Sequence, residues 1–279
     1  MMSHGVPEGL RPTRLRPEQR PAEQRPEQER VVGTLPRQLG LGARELVSIV
    51  GAGGKSTLLF ALGRDLAASG ASVILTTTTR VGDDQPAEPI CWSADPATVE
   101  AALHRRLPLF VAVGRAAAKI TGPSAEEVDR LFGRTSADHV IVEADGAAGR
   151  LIKAPAEHEP VIPAASTTVV VVASIAAIGH PISAVAHRPE RVAALLGTEP
   201  GDRLTIEGLA AVLLHPNGGL KRVPAGARVV MAITGVTPAT EEAAQALTGV
   251  LASCASVERA ITLRETPLDG GSGVPIAEA

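Results

Sequence analysis

Residues 46–57, with the sequence L-V-S-I-V-G-A-G-G-K-S-T, decide the fold class that we predict for this chain. The apolar residues 46–50 are typical of a short buried strand, and leucines recur at helical spacing between residues 58 and 66. A glycine-rich turn that ends in Lys-Ser joins the two elements. A strand, such a turn and a helix start in this order predict a phosphate-binding loop.

Each residue type in this loop suits the binding of a phosphate chain. Glycines let successive backbone N–H groups point at an anion, and the following helix adds the positive end of its dipole. Lys55 is placed to reach the β- and γ-phosphates, and the Ser56 hydroxyl is placed to bind Mg²⁺. We predict that ATP or GTP, with Mg²⁺, is bound by Gly51, Ala52, Gly53, Gly54, Lys55, Ser56 and Thr57.

The loop is shorter than the full pattern G-x-x-x-x-G-K-[ST], because Ile49 stands at the first glycine position. The form G-x-x-G-K-S, residues 51–56, resembles the loop of Mur ligases and folylpolyglutamate synthetases. It is also similar to the loop of dimeric ATPases and GTPases with a variant Walker A motif, although Val50 stands where that group has its signature lysine. The alternative is a glycine-rich turn with an incidental lysine, which the complete strand–loop–helix setting disfavours.

Composition excludes several classes of protein. A net charge of −3 and an aromatic content of 1% disfavour a nucleic-acid-binding surface. No apolar run reaches membrane-spanning length and the N-terminus lacks a signal core, so we expect a cytoplasmic protein without a membrane partner. Cys91 and Cys254 provide neither a disulfide framework nor a zinc cluster. Packing is the expected role of both thiols, and selenium transfer is the alternative.

The order of the remaining elements predicts the fold. Strands expected at 73–75, 107–113, 139–143, 167–173, 228–233 and 257–263 alternate with helices, as in a parallel layered sheet. The helix after Thr205 is expected to end near Gly218, and the last helix to open at Thr237. The fold class is therefore α/β, a P-loop NTPase-like three-layer fold with a mostly parallel central sheet.

The two ends of the chain differ in composition. Residues 1–40 are rich in Pro, Glu, Gln and Arg and contain a short imperfect repeat, so they cannot bury a core and are expected to be disordered. Residues 41–279 are assigned to one nucleotide-binding domain.

Acidic and hydroxyl side chains follow two of the predicted strands. The strand 139–143 ends in Glu143, and Asp145 follows it, as in a Walker B element. Two carboxylates there suit Mg²⁺ or an attacking water. The threonine run 76–79 leads into Arg80, and its hydroxyls at the carboxyl edge suit metal or phosphate contacts. Ordinary polar strand ends are the alternative reading of both segments.

A charged loop comes after the acidic strand. Residues 149–160 place Lys153, His158 and Glu159 between prolines, which is typical of a rigid substrate or switch loop. A solvated, proline-stiffened loop is the alternative, and a metal site at His158 is disfavoured because no second His or Cys lies nearby.

With these motifs assembled, the chain resembles the YqeC family, regarded as accessory proteins of selenium-dependent molybdenum hydroxylases. The motifs, in order, are G-A-G-G-K-S-T (51–57), T-T-T-T-R (76–80), E-A-D-G-A (143–147), K-A-P-A-E-H-E-P (153–160) and H-R-P-E (187–190). The likeness covers about residues 44–235. It implies nucleotide contacts by residues 51–57. It also implies metal or water contacts near Thr78, Glu143 and Asp145.

The resemblance further implies functional loops around Lys153, His158, Glu159, His187 and Arg188. Relatives carry an Asn-containing run after the late strand that is similar to a guanine-reading motif, but residues 233–237 here read I-T-G-V-T. Because an amide and a carboxylate for guanine are missing from this run, ATP is favoured over GTP.

We therefore expect a nucleotide-binding protein, a slow Mg²⁺-dependent ATPase, that serves the maturation of a molybdenum hydroxylase. Lys55 would stabilise the phosphates, Ser56 and Asp145 would place Mg²⁺, and Glu143 would position water. A Mur-like ligase or kinase acting on a cofactor precursor is the second hypothesis, and a non-catalytic nucleotide-binding module is the third. A homodimer is compatible with all three.

Overall fold

The computed structural model describes residue 1 and residues 34–264. Within these residues the helices are α1 (Thr34–Gln38), α2 (Lys55–Ala68), α3 (Pro96–Ala102), α4 (Ala125–Arg134), α5 (Ile182–Val185), α6 (Pro189–Leu196), α7 (Ile206–Leu214) and α8 (Glu241–Ala252). The strands are β1 (Glu45–Gly51), β2 (Val73–Thr77), β3 (Arg80–Gly82), β4 (Ile90–Cys91), β5 (Leu109–Val111), β6 (Gly114–Ala116), β7 (Lys119–Thr121), β8 (His139–Glu143), β9 (Ile152–Lys153), β10 (Thr168–Ser174), β11 (Ala186–His187), β12 (Arg228–Val236) and β13 (Arg259–Arg264).

A parallel central sheet organises these elements. Its eight strands lie in the order β13-β12-β10-β1-β8-β2-β5-β4, and every pairing among them is parallel. Strand β1 lies between β8 and β10, so three strands carry their carboxyl ends to the same edge beside the glycine loop. The predicted α/β class with a mostly parallel sheet is confirmed.

Helices cover both faces of this sheet, because successive residues of the strands point to opposite sides. Val47 and Ile49 of β1 pack in one core with residues of α2, whereas Val50 packs in a second core with residues of α6, α7 and α8. Leu46 belongs to a third cluster, formed with residues of α3 and α4. The sheet is therefore the middle of three layers.

Local signals set most helix boundaries. Asp95 accepts the Thr98 N–H at 2.9 Å at the start of α3, and Ser124 with Glu127 forms a capping box at the start of α4. Helix α7 ends at Leu214, earlier than predicted, because Pro216 disfavours a helical conformation at the residue before it. Helix α8 begins after Thr240 because residues 237–240 form a hydrogen-bonded turn instead.

The segment that the sequence predicts to be disordered, residues 1–40, extends too far along the chain. Residues 34–38 form α1, and Leu39, which is 0% exposed, packs in the same core as α2. The expectation of disorder up to residue 40 is therefore wrong for residues 34–40, because composition does not show that Leu35, Leu39 and Leu41 pack against this core. The rest of the predicted tail, residues 2–33, lies outside the described residues, as do residues 265–279.

Two small sheets complete the described chain. Strands β9 and β11 form a parallel pair, and β3, β7 and β6 form an antiparallel sheet that the sequence did not predict. Among residues 34–264, none of the helices has both the length and the apolar character that crossing a lipid bilayer requires.

Candidate functional site

The glycine loop, residues 51–57, joins β1 to α2 in a conformation that depends on its glycines. Gly51, Gly53 and Gly54 have φ angles of 96°, 78° and 111°, in the region that residues with side chains rarely adopt. A Cβ atom on Gly53 would lie 2.8 Å from Cβ of Ser174 and 2.9 Å from the carbonyl oxygen of Leu151. Both backbone angle and space therefore require glycine at residue 53.

Two side chains of the first turn of α2 meet the carboxylates at the carboxyl end of β8. Lys55 Nζ lies 3.6 Å from Glu143 Oε1 and 3.4 Å from Asp145 Oδ1, and the Lys55 side chain is 4% exposed. The Ser56 hydroxyl donates to Glu143 Oε2 at 2.7 Å. These contacts form because β8 is the direct neighbour of β1 in the sheet. The structure thus brings together the four residues that the sequence singled out.

Asp145 connects the glycine loop to the 149–160 segment. Its Oδ2 atom accepts the Gly51 N–H at 3.2 Å and lies 3.0 Å from Lys153 Nζ. Its Oδ1 atom is buried and has the Lys55 ammonium 3.4 Å away, but it makes no hydrogen bond with the described residues. Because only this ion-pair contact holds Oδ1, the atom has bonding capacity left for a ligand or water.

A second buried ion-pair group continues from Lys153. Lys153 Nζ lies 2.9 Å from Glu159 Oε2, and Arg188 makes two hydrogen bonds of 2.8 and 3.0 Å to the same carboxylate. Burial alone would raise the pKa of Glu159, but the hydrogen bonds from Arg188 and Lys153 lower this pKa to about 2. Glu159 is therefore charged at neutral pH and holds α6 against the 149–160 segment.

Comparison with known proteins places this site in a family. Residues 47–190 match the family described as "YqeC protein". A relative from Escherichia coli (strain K12), described as "Uncharacterized protein YqeC", is 37% identical over 198 residues, which cover 69% of this chain and 77% of that relative. The chain belongs to the YqeC family.

The YqeC match includes the glycine loop, both carboxylates and the Lys153–Glu159–Arg188 group, and it ends at Glu190. The resemblance drawn from five short motifs is thereby confirmed. The printed description of the relative assigns it no activity, so the chemistry of this YqeC member is argued from its own residues.

Three of the predicted site residues lie apart from the carboxylates. The Thr78 hydroxyl donates to the Val161 carbonyl at 2.7 Å, although the Thr78 N–H reaches the Glu143 carbonyl at 3.1 Å. Arg80 is exposed at the start of β3, and its side chain has no ion pair within the described part of the chain. The His158 side chain is 78% exposed, with Nε2 3.9 Å from Glu159 Oε1.

His187 lies at the inner edge of the ion-pair group. It pairs with Lys153 in the β9–β11 sheet and is half-buried. Burial lowers the pKa of His187 below its ordinary value, and the positive charges of Arg188 and Lys153 lower it further. His187 is therefore neutral at pH 7 and available as a hydrogen-bonding group rather than as a cation.

The sequence analysis missed residues whose side chains bind backbone carbonyls of the 149–160 segment and of the glycine loop. Arg222 donates to the His158 carbonyl at 2.9 Å and to the Glu157 carbonyl at 2.7 Å, and Lys221 donates to the Ala156 carbonyl at 2.6 Å. The Thr234 hydroxyl donates to the Gly53 carbonyl. No sequence signal identifies Arg222. Thr234 lies in the 233–237 run, which the sequence analysis relates only to recognition of the nucleobase.

The oxygen atoms at this site fit Mg²⁺ in the manner usual for nucleotide complexes. Ser56 and Glu143 offer hard oxygen ligands 2.7 Å apart, and Asp145 Oδ1 adds a carboxylate oxygen that makes no hydrogen bond with the described residues. No group of three or more His, Cys, Asp or Glu suited to a metal occurs among the described residues.

The two cysteines lie apart from each other and pack on different cores. Cys91 is half-buried against the α3–α4 cluster, and Cys254 is half-buried against the core that contains α7 and α8. A hydrogen bond with Ser256 lowers the pKa of the Cys254 thiol. Both positions are compatible with the expected packing role.

Proposed function

We propose that this YqeC family member binds a nucleoside triphosphate with Mg²⁺ at the glycine loop and hydrolyses it slowly. The observation that carries the proposal is the meeting of Lys55 and Ser56 with Glu143 and Asp145 at the end of a loop that contains three left-handed glycines. This combination provides N–H donors, a cation and hard oxygen ligands in one place. An ordinary structural turn needs none of the three.

Each residue of the site has a separate role in the proposed binding and hydrolysis of the nucleotide. The loop N–H groups and the start of α2 would bind the phosphates, and Lys55 would turn from the two carboxylates to the β- and γ-phosphates. Ser56 and Glu143 would hold Mg²⁺, because their oxygens are already adjacent. Bound Mg²⁺ would neutralise phosphate charge. Asp145, which is fixed by Gly51 and Lys153, would orient water through Oδ1.

This division revises the expectation that Asp145 places the metal and Glu143 the water. The revision follows from the hydrogen bond between Ser56 and Glu143, and from the two donors that already occupy Asp145 Oδ2. Catalysis would depend on positioning and electrostatics, because hydrolysis of a phosphoanhydride requires little covalent chemistry from the protein.

The accessory role in molybdenum-hydroxylase maturation is the second part of the proposal, and it is supported by family membership alone. The tip of the 149–160 segment would contact the client, because Glu157 and His158 are exposed while the carbonyls around them are bound by Lys221 and Arg222. A rigid, exposed loop connected to the nucleotide site through Lys153 is suited to report nucleotide state.

The test is binding of labelled ATP and GTP, each with Mg²⁺, to the wild type and to Lys55→Ala, with phosphate release followed in the same samples. We expect Lys55→Ala to weaken nucleotide binding by about 100-fold, because a buried charge-assisted contact to phosphate is lost. Lys119→Ala is the matched control, since Lys119 is an exposed lysine on β7.

ATP is the expected nucleotide, and GTP is the alternative that this assay resolves. Circular dichroism of both variants establishes that they are folded. Unchanged nucleotide affinity in folded Lys55→Ala would exclude the glycine loop as the binding site.

A ligase or kinase acting on a small cofactor precursor is the second candidate function. A shallow groove of ≈ 350 Å³ next to the glycine loop favours it, because the groove joins Ser56 and Thr57 to Arg64 and Gln85. The Arg64 guanidinium is held by the buried Glu88 at 3.2 Å and suits a carboxylate or phosphate of a second substrate. A phosphorylated or ligated product, in place of ADP and phosphate alone, would identify this activity.

A further inference from the structure

One side chain on a neighbouring strand is bonded directly to the backbone of the glycine loop. The Thr234 hydroxyl, at the carboxyl end of β12, donates to the Gly53 carbonyl and lies 3.3 Å from the Ala173 carbonyl. The methyl group of Thr234 lies 3.4 Å from the position that a Cβ on Gly54 would occupy. Thr234 therefore bonds to one residue of the loop and leaves little room for a side chain at the next.

The local backbone of β12 puts Thr234 in this place. The pairing of β12 with β13 changes register between Ile233 and Val236, and Gly235 has a φ angle of 68°. A Cβ on Gly235 would lie 2.5 Å from the Ser174 hydroxyl, so the chain packs closely against the end of β10 here. Thr234 itself is in parallel register with Ser174 of β10, and this close pairing places it beside the glycine loop.

The contact determines which way one peptide unit of the loop faces. A peptide whose carbonyl is bound on one side presents the N–H of the next residue to the other side. By binding the Gly53 carbonyl, Thr234 directs the Gly54 N–H to the side of the peptide away from its own hydroxyl, which leaves this N–H free to serve an anion nest. The hydroxyl of Thr234 is then committed to the loop and is not available for reading a base.

We infer that Thr234 is a positioning residue that holds the glycine loop in its phosphate-binding conformation, acting on the triphosphate chain and not on the nucleobase. This inference rests on the proposed nucleotide binding at residues 51–57. It assigns a role to a residue of the 233–237 run, for which the sequence analysis found no guanine-binding side chains. It also predicts that any effect of residue 234 is equal for ATP, for GTP and for inorganic tripolyphosphate, which has no base.

The experiment compares the dissociation constants of these three probes, with Mg²⁺, in the full chain. Thr234→Val keeps the shape of the side chain and removes the hydroxyl, and we expect it to weaken all three probes by the same factor, about five- to tenfold. Thr234→Ser keeps the hydroxyl and should bind within about twofold of the wild type. Thr248→Val is the matched control, because that hydroxyl also donates to backbone carbonyls, at 3.0 Å, but on α8.

Each remaining outcome contradicts the inference in a different way. Wild-type affinity in Thr234→Val would mean that the loop holds its conformation unaided. A change in the ratio of ATP to GTP affinity would assign Thr234 to the base instead. An equal loss in Thr234→Ser would mean that packing, and not the hydroxyl, is responsible. Binding of no probe by the wild type would overturn the proposed nucleotide binding itself, which separates the two failures.

Discussion

Charged side chains are buried at both ends of the parallel strands of the central sheet, but their hydrogen bonds differ. The amino edge is the side of the sheet where the strands begin, and the carboxyl edge is the side where they finish. At the amino edge, Glu45 Oε1 accepts the Gly42 N–H at 3.0 Å and Arg228 Nη2 at 2.7 Å, while Oε2 accepts the hydroxyls of Thr167 and Thr168. At the carboxyl edge, the Lys55 amino group lies 3.4 and 3.6 Å from its carboxylates, and Asp145 Oδ1 makes no hydrogen bond with the described residues.

Because of this difference, we expect the amino edge to contribute to stability and the carboxyl edge to contribute to ligand binding. A carboxylate whose two oxygens already accept hydrogen bonds from the protein has no capacity left for a ligand. Glu45 therefore connects strands β1, β10 and β12 at the amino edge. A carboxylate with looser contacts can exchange Lys55 for another cation when Lys55 moves to an anion. The comparison predicts that substitutions at the amino edge change the free energy of unfolding without changing ligand binding.

The largest expected effect is that of Gly53→Ala at the carboxyl edge. The added Cβ meets Ser174 and Leu151 at a positive φ angle, so we expect a loss of about 3 kcal/mol in the free energy of unfolding, together with loss of nucleotide binding. Gly149→Ala is the matched control, because Gly149 has a φ angle of 73° with nothing within 4 Å, and about 1 kcal/mol is expected there. Urea unfolding measures both variants, and equal losses would refute the role of the Gly53 contacts.

The next effect is that of Glu45→Ala at the amino edge. Removing this buried carboxylate takes one acceptor from Arg228 and one from each of two threonine hydroxyls, so we expect a loss of about 2 kcal/mol in the free energy of unfolding. Glu258→Ala removes the other partner of Arg228, an exposed carboxylate at 2.8 Å, and should cost under about 1 kcal/mol. Nucleotide affinity should stay within about twofold of the wild type in both, and a large loss in Glu45→Ala would contradict the separation of the two edges.

The smallest effect concerns His139, the exception at the amino edge, because its buried Nδ1 atom has no partner among the described residues. Burial lowers the pKa of His139 below 6.5, although Asp138 and Glu45 oppose this shift. As the pH falls below about 6.5, the unfolded chain binds a proton that the folded chain does not, so stability falls.

We expect His139→Gln to reduce this loss between pH 7 and pH 5 by about 0.5–1 kcal/mol. Urea unfolding at several pH values measures the slope, with the exposed His104→Gln as the control. An unaltered slope in His139→Gln would show that other groups produce the pH dependence.

Several elements were predictable because their signals are local. The glycine loop, the capping box at Ser124 and the buried strand β10 depend on residues within a few positions of each other. The meeting of Glu143 with the loop was also predictable, because parallel strands carry their carboxyl ends to one edge. The early end of α7 is also a local signal, because Pro216 disfavours the helix before it, whereas the prediction of an end near Gly218 rests on the weaker signal of glycine.

By itself, the sequence determined the α/β class, the loop that would receive an anion and the two carboxylates at the carboxyl end of β8. Only the tertiary structure decided the strand order around β1, the connection from Asp145 through Lys153 and Glu159 to Arg188, and the hydrogen bond from Thr234 to Gly53. Thr234 and Gly53 are 181 residues apart along the chain. Their contact depends on the registers of β1, β10 and β12, which no local pattern of residues specifies.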